Sequence, residues 1–157
     1  MLKQEIKYNI RVYALIINGE NKVLLSDEYR MDMKMTKFPG GGMEYGEGTI
    51  DCLQREATEE FGQSLINIRH FYTTDFYQPA LFFKDTQLVS IYYLADLREE
   101  IRFRVADKPF DIRELKNGAQ SFRWVPLSEL SEEDLTFPVD RRVVRLLQDQ
   151  LETGRND

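Results

Sequence analysis

One cysteine, one histidine and no long apolar run constrain this chain before any motif is considered. A lone Cys52 excludes an intramolecular disulfide and suits a reducing compartment. The single His70 leaves Ser-His-Asp catalysis resting on one residue with no nucleophile motif to support it, so a strand position is the simpler reading. No stretch reaches the roughly 18 apolar residues of a membrane helix, and Met1-Leu2-Lys3-Gln4-Glu5 lacks the apolar core of an export signal. A cytoplasmic protein without a membrane partner is therefore expected. Lys and Arg number 21 against 27 Asp and Glu, and the formal net charge of −6 argues against a grip on nucleic-acid polymer, which needs clustered cations. No repeat or low-complexity tract is visible. At 157 residues and 42% hydrophobic, the chain can bury roughly 70% of its unfolded surface. That suffices for one core, so residues 1–157 are expected to form a single domain.

The informative stretch is residues 38–63. Phe38-Pro39-Gly40-Gly41-Gly42 ends an extended segment in three glycines, which can take positive φ and let backbone N–H groups approach a ligand. Thr49 then serves as N-cap of a helix to about Phe61, with Gly62 at C′. At about 100° per residue, Ile50, Leu53, Ala57 and Phe61 share an apolar stripe, and Glu56, Glu59 and Glu60 share an adjacent acidic arc. That arc is poorly placed for stability. Glu56 has like charges at i+3 and i+4, and Glu59 and Glu60 lie where the helix dipole favours cations. Clustered carboxylates of this kind suit a hard divalent cation, Mg²⁺ or Mn²⁺, which in turn holds phosphate oxygens. Arg55, next to Glu56 and four residues before Glu59, can orient a carboxylate.

Gly41-x5-Glu47-x7-Arg55-Glu56-Ala57-x-Glu59-Glu60-x-Gly62-Gln63 resembles the box of the Nudix family, of the MutT-like kind. The family pattern ends in a bulky aliphatic residue where this chain has Gln63, and often carries another where it has Ala57; no acid is lost. The resemblance extends to the hairpin before the box, the strand Val89 to Leu97 and Phe122-Arg123-Trp124-Val125-Pro126-Leu127. It implies an α/β fold, an α/β/α sandwich around a mixed β-sheet. It also implies metal-dependent hydrolysis of a nucleoside diphosphate linked to another moiety, that is, a pyrophosphohydrolase needing Mg²⁺ or Mn²⁺. Glu56, Glu59 and Glu60 would hold the metal. Glu47 would reach it through water or brace the glycine loop. Glu56, oriented by Arg55, would be ligand or base, and Glu114 in the loop before Trp124 is the second candidate base.

Elsewhere, Ile10 to Ile17 and Lys22 to Leu25 flank Asn18-Gly19-Glu20-Asn21 as a hairpin, Phe71 to Phe83 is strand-like but broken at Gln78-Pro79, and Leu88 to Leu94 is a clearer strand. Arg98 to Ala119 reads as strand ends and a long loop, and Val139, Val143, Leu146 and Leu147 mark a helix from Val139 to Leu151. Gly40, Gly41, Gly42, Arg30 and Tyr77 are candidate substrate contacts, with Arg11 and Lys37 as further phosphate partners. Tyr29, Phe76, Phe82 and Phe83 stack on a base or fill the core. Pro79, 16 residues past the box, lies near where ADP-ribose-cleaving relatives carry a proline, which ranks nucleotide sugars and ADP-ribose ahead of (d)NTPs and dinucleoside polyphosphates. The partner is then a small nucleoside diphosphate derivative, and a homodimer is left open. Two other classes remain: a non-catalytic regulatory domain that binds a nucleotide metabolite, and an isoprenoid-diphosphate isomerase, which would need a cysteine at the reacting carbon.

Overall fold

Apolar residues run without alternation through the first strand because both of its faces are covered, a pattern typical of strands inside a layered α/β fold. In a computed structural model that describes residues 7–155, β1 (Lys7–Ile16) turns Val12, Ala14 and Ile16 to one layer and Tyr13 and Leu15 to the other. Met1 to Glu5, discussed above for their lack of an export signal, lie outside the described residues. The remaining elements are β2 (Lys22–Arg30), β3 (Met33–Lys37), β4 (Gly40–Gly42), α1 (Thr49–Phe61), β5 (Leu65–Thr73), β6 (Thr86–Leu97), β7 (Ala119–Pro126), a 3-10 turn at Glu132–Asp134 and α2 (Pro138–Arg155).

The strands form a four-stranded mixed sheet, ordered β4-β1-β6-β5 with β1 parallel to β6, and a three-stranded antiparallel sheet, ordered β3-β2-β7. On one side Cys52, Leu53, Ala57 and Phe61 of α1 pack on Val12, Ala14, Leu24, Ala95 and Phe122. On the other, Val139, Val143, Val144 and Leu147 of α2 pack on Tyr13, Leu15, Val23, Leu25 and Tyr92. This is the expected α/β/α sandwich around a mixed sheet.

Several expectations need correction. The turn at Asn18–Asn21 is present, with the Asn18 side chain accepting the N–H groups of Glu20 and Lys22. Yet β1 and β2 share only the bridge Ile17↔Val23 before parting into different sheets. A tight turn sets local chain reversal, and more distant pairing with β6 takes β1 away. The aromatic stretch stops being strand at Thr73, and residues 74–85 form a loop anchored by the bridge Pro79↔Gln87. The helix cap is Gly48 rather than Thr49. Gly48 has extended backbone, its N–H donates to Asp51, and the Thr49 hydroxyl pairs with Tyr93. Gly62 does end the helix, at φ 67° with its N–H on Thr58 O. Ile50 is 48% exposed, and Cys52 takes its place in the apolar contact.

Two polar devices tie neighbouring segments together. Gln63, at the family's aliphatic position, is buried and satisfies both amide ends, donating to Glu100 O and accepting from Arg102 N–H. Asp27 is fully buried with Arg123 at 2.7 Å and the Thr36 hydroxyl at 2.7 Å. Removing one partner of such a pair costs about 3 to 5 kcal/mol, against about 0 to 1 for a surface pair. Arg123→Met should therefore lower the midpoint of urea unfolding far more than Arg145→Met, whose partner Glu132 is on the surface; equal shifts would contradict the assignment.

Candidate active site

The glycines do something different from what their flexibility suggested. Gly40 has φ 147°, and a Cβ there would lie 2.1 Å from Val12 O, so only glycine lets β4 pair with β1. At Gly41 the missing side chain is replaced by the Glu56 carboxylate: an added Cβ would come within 2.4 to 2.8 Å of its atoms. Gly42 O accepts from Arg55 at 2.9 Å. The loop therefore seats the helix carboxylates against the sheet. Gly40→Ala should cost about 2 kcal/mol or more of stability from strain and clash. Gly41→Ala should instead fold and lose activity, because a flexible carboxylate can yield. Denaturant midpoints and turnover of the two variants check the contrast; the same loss of stability in both would contradict it.

The helix does not divide into an apolar face and a solvated acid face. Its buried arc runs from Cys52 to Phe61 over about 180°, and Glu56 and Glu60 fall inside it, while Glu59 lies on the exposed rim. Arg55 holds this group together. Its guanidinium is bidentate on Glu47, donates to Glu56 at 3.1 Å and to Glu59 at 3.3 Å, and lies 3.8 Å from Glu44. The Arg55 contact, with the Glu44 N–H, holds the Glu47 carboxyl below its ordinary range. Both Glu47 oxygens are thus engaged within the protein.

Glu60 is the unusual member. Gln120 of β7 donates to one of its oxygens at 3.1 Å and also to Ser26 at 2.7 Å; the other oxygen is buried with no partner. Burial pushes its pKa up to about 7, against the pull of Lys37 and Gln120 and with a push from Glu56 and Glu28. Buried carboxylates are normally paired or metal-bound. Among the described residues no three acidic, histidine or cysteine side chains converge as a ready-made metal cage, since Arg55 spans the gap between them. The donor set still suits a hard cation: carboxylate oxygens only, one of them orphaned.

Beside these acids a cavity of about 150 Å³ opens between the sheet, loop 78–83 and the start of α2. Arg11, Arg30, Glu28 and Lys37 line it. Glu28 is buried between Lys37 at 3.2 Å and Arg30 at 3.0 Å, and Lys37 also donates to Gly40 O at 3.2 Å. Burial alone would lower the Lys37 pKa, but Tyr13, Glu28 and Glu60 outweigh it and the net shift is upward. Phe82, Phe83 and Pro79 contribute walls, whereas Tyr77 is 71% exposed and lines an open groove on the other side of Pro79 and Phe83. Glu114 lies exposed in the loop before β7. Glu28, Tyr92 and Asp140 line the same cavity and Gln120 touches Glu60; none of the four was singled out from the sequence. Asp27-Glu28 inside an apolar strand run was the available signal for the first.

His70 is on β5 as expected, bonded to Thr73 and edge-on to Tyr93. Cys52 faces the core, where burial pushes its thiol up to about 11. No helix among the described residues is long and apolar enough to cross a membrane.

Comparison with known proteins places this arrangement. The NUDIX domain model matches residues 7–147. Over 132 residues the chain is 30% identical to mouse nucleoside diphosphate-linked moiety X motif 6, covering 80% of this chain and 37% of that protein. It is 36% identical over 61 residues to the RNA pyrophosphohydrolase of Ruthia magnifica, covering 39% of this chain and 33% of that one. The chain thus spans about a third of the curated relatives it matches. In structure it resembles the E. coli ORF135 protein, with TM-score 0.71 at 17% identity over 97% of this chain and 96% of that one. It also resembles a NUDIX hydrolase from Nitrosomonas europaea, with TM-score 0.64 at 21% identity over 88% and 87%. With the family model spanning most of its length and the box acids gathered against the glycine strand, the chain belongs to the Nudix hydrolase family.

Proposed function

We propose that the protein hydrolyses a nucleoside diphosphate linked to another moiety, with Mg²⁺ or Mn²⁺ held by Glu56, Glu59 and Glu60. The observation that carries this reading is the buried, unpartnered Glu60 oxygen beside Glu56, a desolvated acidic pair that a cation would satisfy. When bound, such an ion would neutralise the diphosphate and lower the pKa of an attacking water. The chain's own residues do the rest. Arg55 fixes the Glu56 carboxylate, which is in position to take a proton from water. Arg11 and Lys37, lining the adjacent cavity, meet the diphosphate charge. Glu56 is preferred over Glu114 as base because Arg55 holds its carboxylate at 3.1 Å, whereas Glu114 lies in an exposed loop.

A nucleotide sugar or ADP-ribose remains the favoured substrate, since Pro79 and the aromatic loop border the cavity. A regulatory domain without catalysis is disfavoured by the intact acids. An isomerase role is disfavoured by the buried, weakly acidic Cys52. The test is a panel of ADP-ribose, UDP-glucose, dNTPs, dinucleoside polyphosphates and a 5′-triphosphorylated RNA, with Mg²⁺, with Mn²⁺ and in EDTA, scoring the phosphorus-containing products. Turnover that needs metal and is fastest on the sugar-linked diphosphates is expected. Undiminished turnover in EDTA would overturn the metal assignment, and an equal or higher kcat/KM on any dNTP would overturn the substrate ranking.

A further inference from the structure

Arg11 is half-buried, yet among the described residues it forms no ion pair. It alternates with Tyr13 on one face of β1, opposite Gly42 and Gly40 of β4. Its Nε–H donates to the Tyr13 hydroxyl at 2.7 Å, and a Cβ built on Gly42 would stand 3.6 Å from its Nη1. The guanidinium therefore lies beside the glycine strand, at the wall of the cavity. Burial would lower its pKa, but Tyr13, Glu56 and Glu28 outweigh that and the net shift is upward. Both acids are already engaged by other cations, Glu56 by Arg55 at 3.1 Å and Glu28 by Lys37 at 3.2 Å and Arg30 at 3.0 Å. Tyr13 takes one N–H of Arg11, and among the described residues no acceptor takes those on the Nη atoms. A half-buried guanidinium edge with its donors unspent suits the bidentate capture of a phosphate. Tyr13 itself is 5% exposed, its ring stacked on Tyr92 at 5.2 Å within the core. A phenylalanine ring would pack as well, so packing does not call for the hydroxyl. As an anchor, the hydroxyl differs from a carboxylate in one respect: it holds the guanidinium without cancelling its charge.

We propose that Tyr13 is a positioning residue for the reaction: its hydroxyl holds the Arg11 guanidinium so that the Nη edge meets the diphosphate of the substrate. This rests on the hydrolytic reading above, in which Arg11 meets the diphosphate charge, and adds what orients it. A free arginine side chain loses rotamer freedom when it grips a ligand, which weakens the grip. A guanidinium already fixed on a core ring has given up that freedom on folding.

Imidodiphosphate, whose P–N–P bridge resists hydrolysis, serves as the probe. Its binding to the whole protein is measured by calorimetry in Mg²⁺ for wild type, Tyr13→Phe, Arg11→Met and the double variant. Tyr13→Phe should bind about tenfold more weakly than wild type, and Arg11→Met at least as weakly as Tyr13→Phe. The double variant should bind no more weakly than Arg11→Met, because the hydroxyl acts only through Arg11, whereas a merely structural hydroxyl predicts losses that multiply. Binding by Tyr13→Phe within about twofold of wild type would overturn the proposal, as would multiplied losses in the double variant or a wild type that does not bind the probe. Should a variant fail to fold, the wild-type Arg11 side chain is followed by NMR. Its Nε–H should exchange slowly with water, and its Nη signals should shift as imidodiphosphate is added; rapid Nε–H exchange or stationary Nη signals overturn the assignment. No turnover enters these measurements, so an inactive substrate panel leaves them interpretable. Failed probe binding alongside metal-dependent turnover would overturn this assignment alone.

Discussion

Glu60→Gln should lower kcat/KM by about 10² or more at saturating Mg²⁺ and, in EDTA at pH 8, make the protein more stable. The loss follows if one ligand of the ion is removed where charge develops in the reaction. The gain follows from burial. Glu60 has its pKa raised from an ordinary value near 4.5 to about 7, so the folded state keeps a proton that the unfolded chain has already released. The stability tied to that proton is fully present below about pH 4.5 and is lost as pH rises through about 7. A neutral amide of the same shape escapes this loss and can still accept from Gln120. The variant should therefore exceed wild type by about 1 to 3 kcal/mol at pH 8 and match it near pH 4.5. Chemical denaturation at the two pH values, with one turnover assay, checks both halves. A variant destabilised at pH 8 yet fully active would mark Glu60 as a structural residue.

Arg55→Ala should reduce kcat/KM by about 10² to 10³, and Arg55→Lys should recover no more than about tenfold of it. One guanidinium serves Glu47, Glu56, Glu59 and Gly42 O at once. A lysine has three donors on a single nitrogen and cannot span them. Without the fork, Glu56 loses its fixed orientation beside Gly41 and like charges face one another across the gap. If the effect acts through ion affinity, raising Mn²⁺ should restore part of the rate; if it acts through the orientation of Glu56, kcat stays low at any metal concentration. An Arg55→Ala enzyme within tenfold of wild type would contradict the clamp.

What the sequence disclosed was whatever depended on near neighbours. The helix end at Gly62, the turn at Asn18–Asn21 and the spacing of Glu56, Glu59 and Glu60 are local, and all three were legible. The misreadings share a cause. A helical wheel assigns charge to solvent, so Glu56 and Glu60 were placed beside the buried arc when they lie within it, and exposed Ile50 was placed in the core. The hairpin turn was correct, but β1 pairs with β4 and β6, Lys7 opposite Thr86, and no local pattern carries that choice. Glu28 and Asp140 are buried acids whose partners come from other strands or helices, and in a one-dimensional reading they look like surface residues. Glu114 lies in the loop before β7, as the sequence suggests.

The central claim is that the carboxylate of Glu56, seated against Gly41, and that of Glu60 hold the ion on which turnover depends. Paramagnetic broadening of backbone amide signals by substoichiometric Mn²⁺ locates that ion without substrate. The account expects Gly41, Gly42 and the amides from Glu56 to Glu60 to broaden first in wild type and to stay sharp at the same Mn²⁺ in Glu60→Gln. Broadening that begins at other acidic surfaces, or that is unchanged by the substitution, would contradict it.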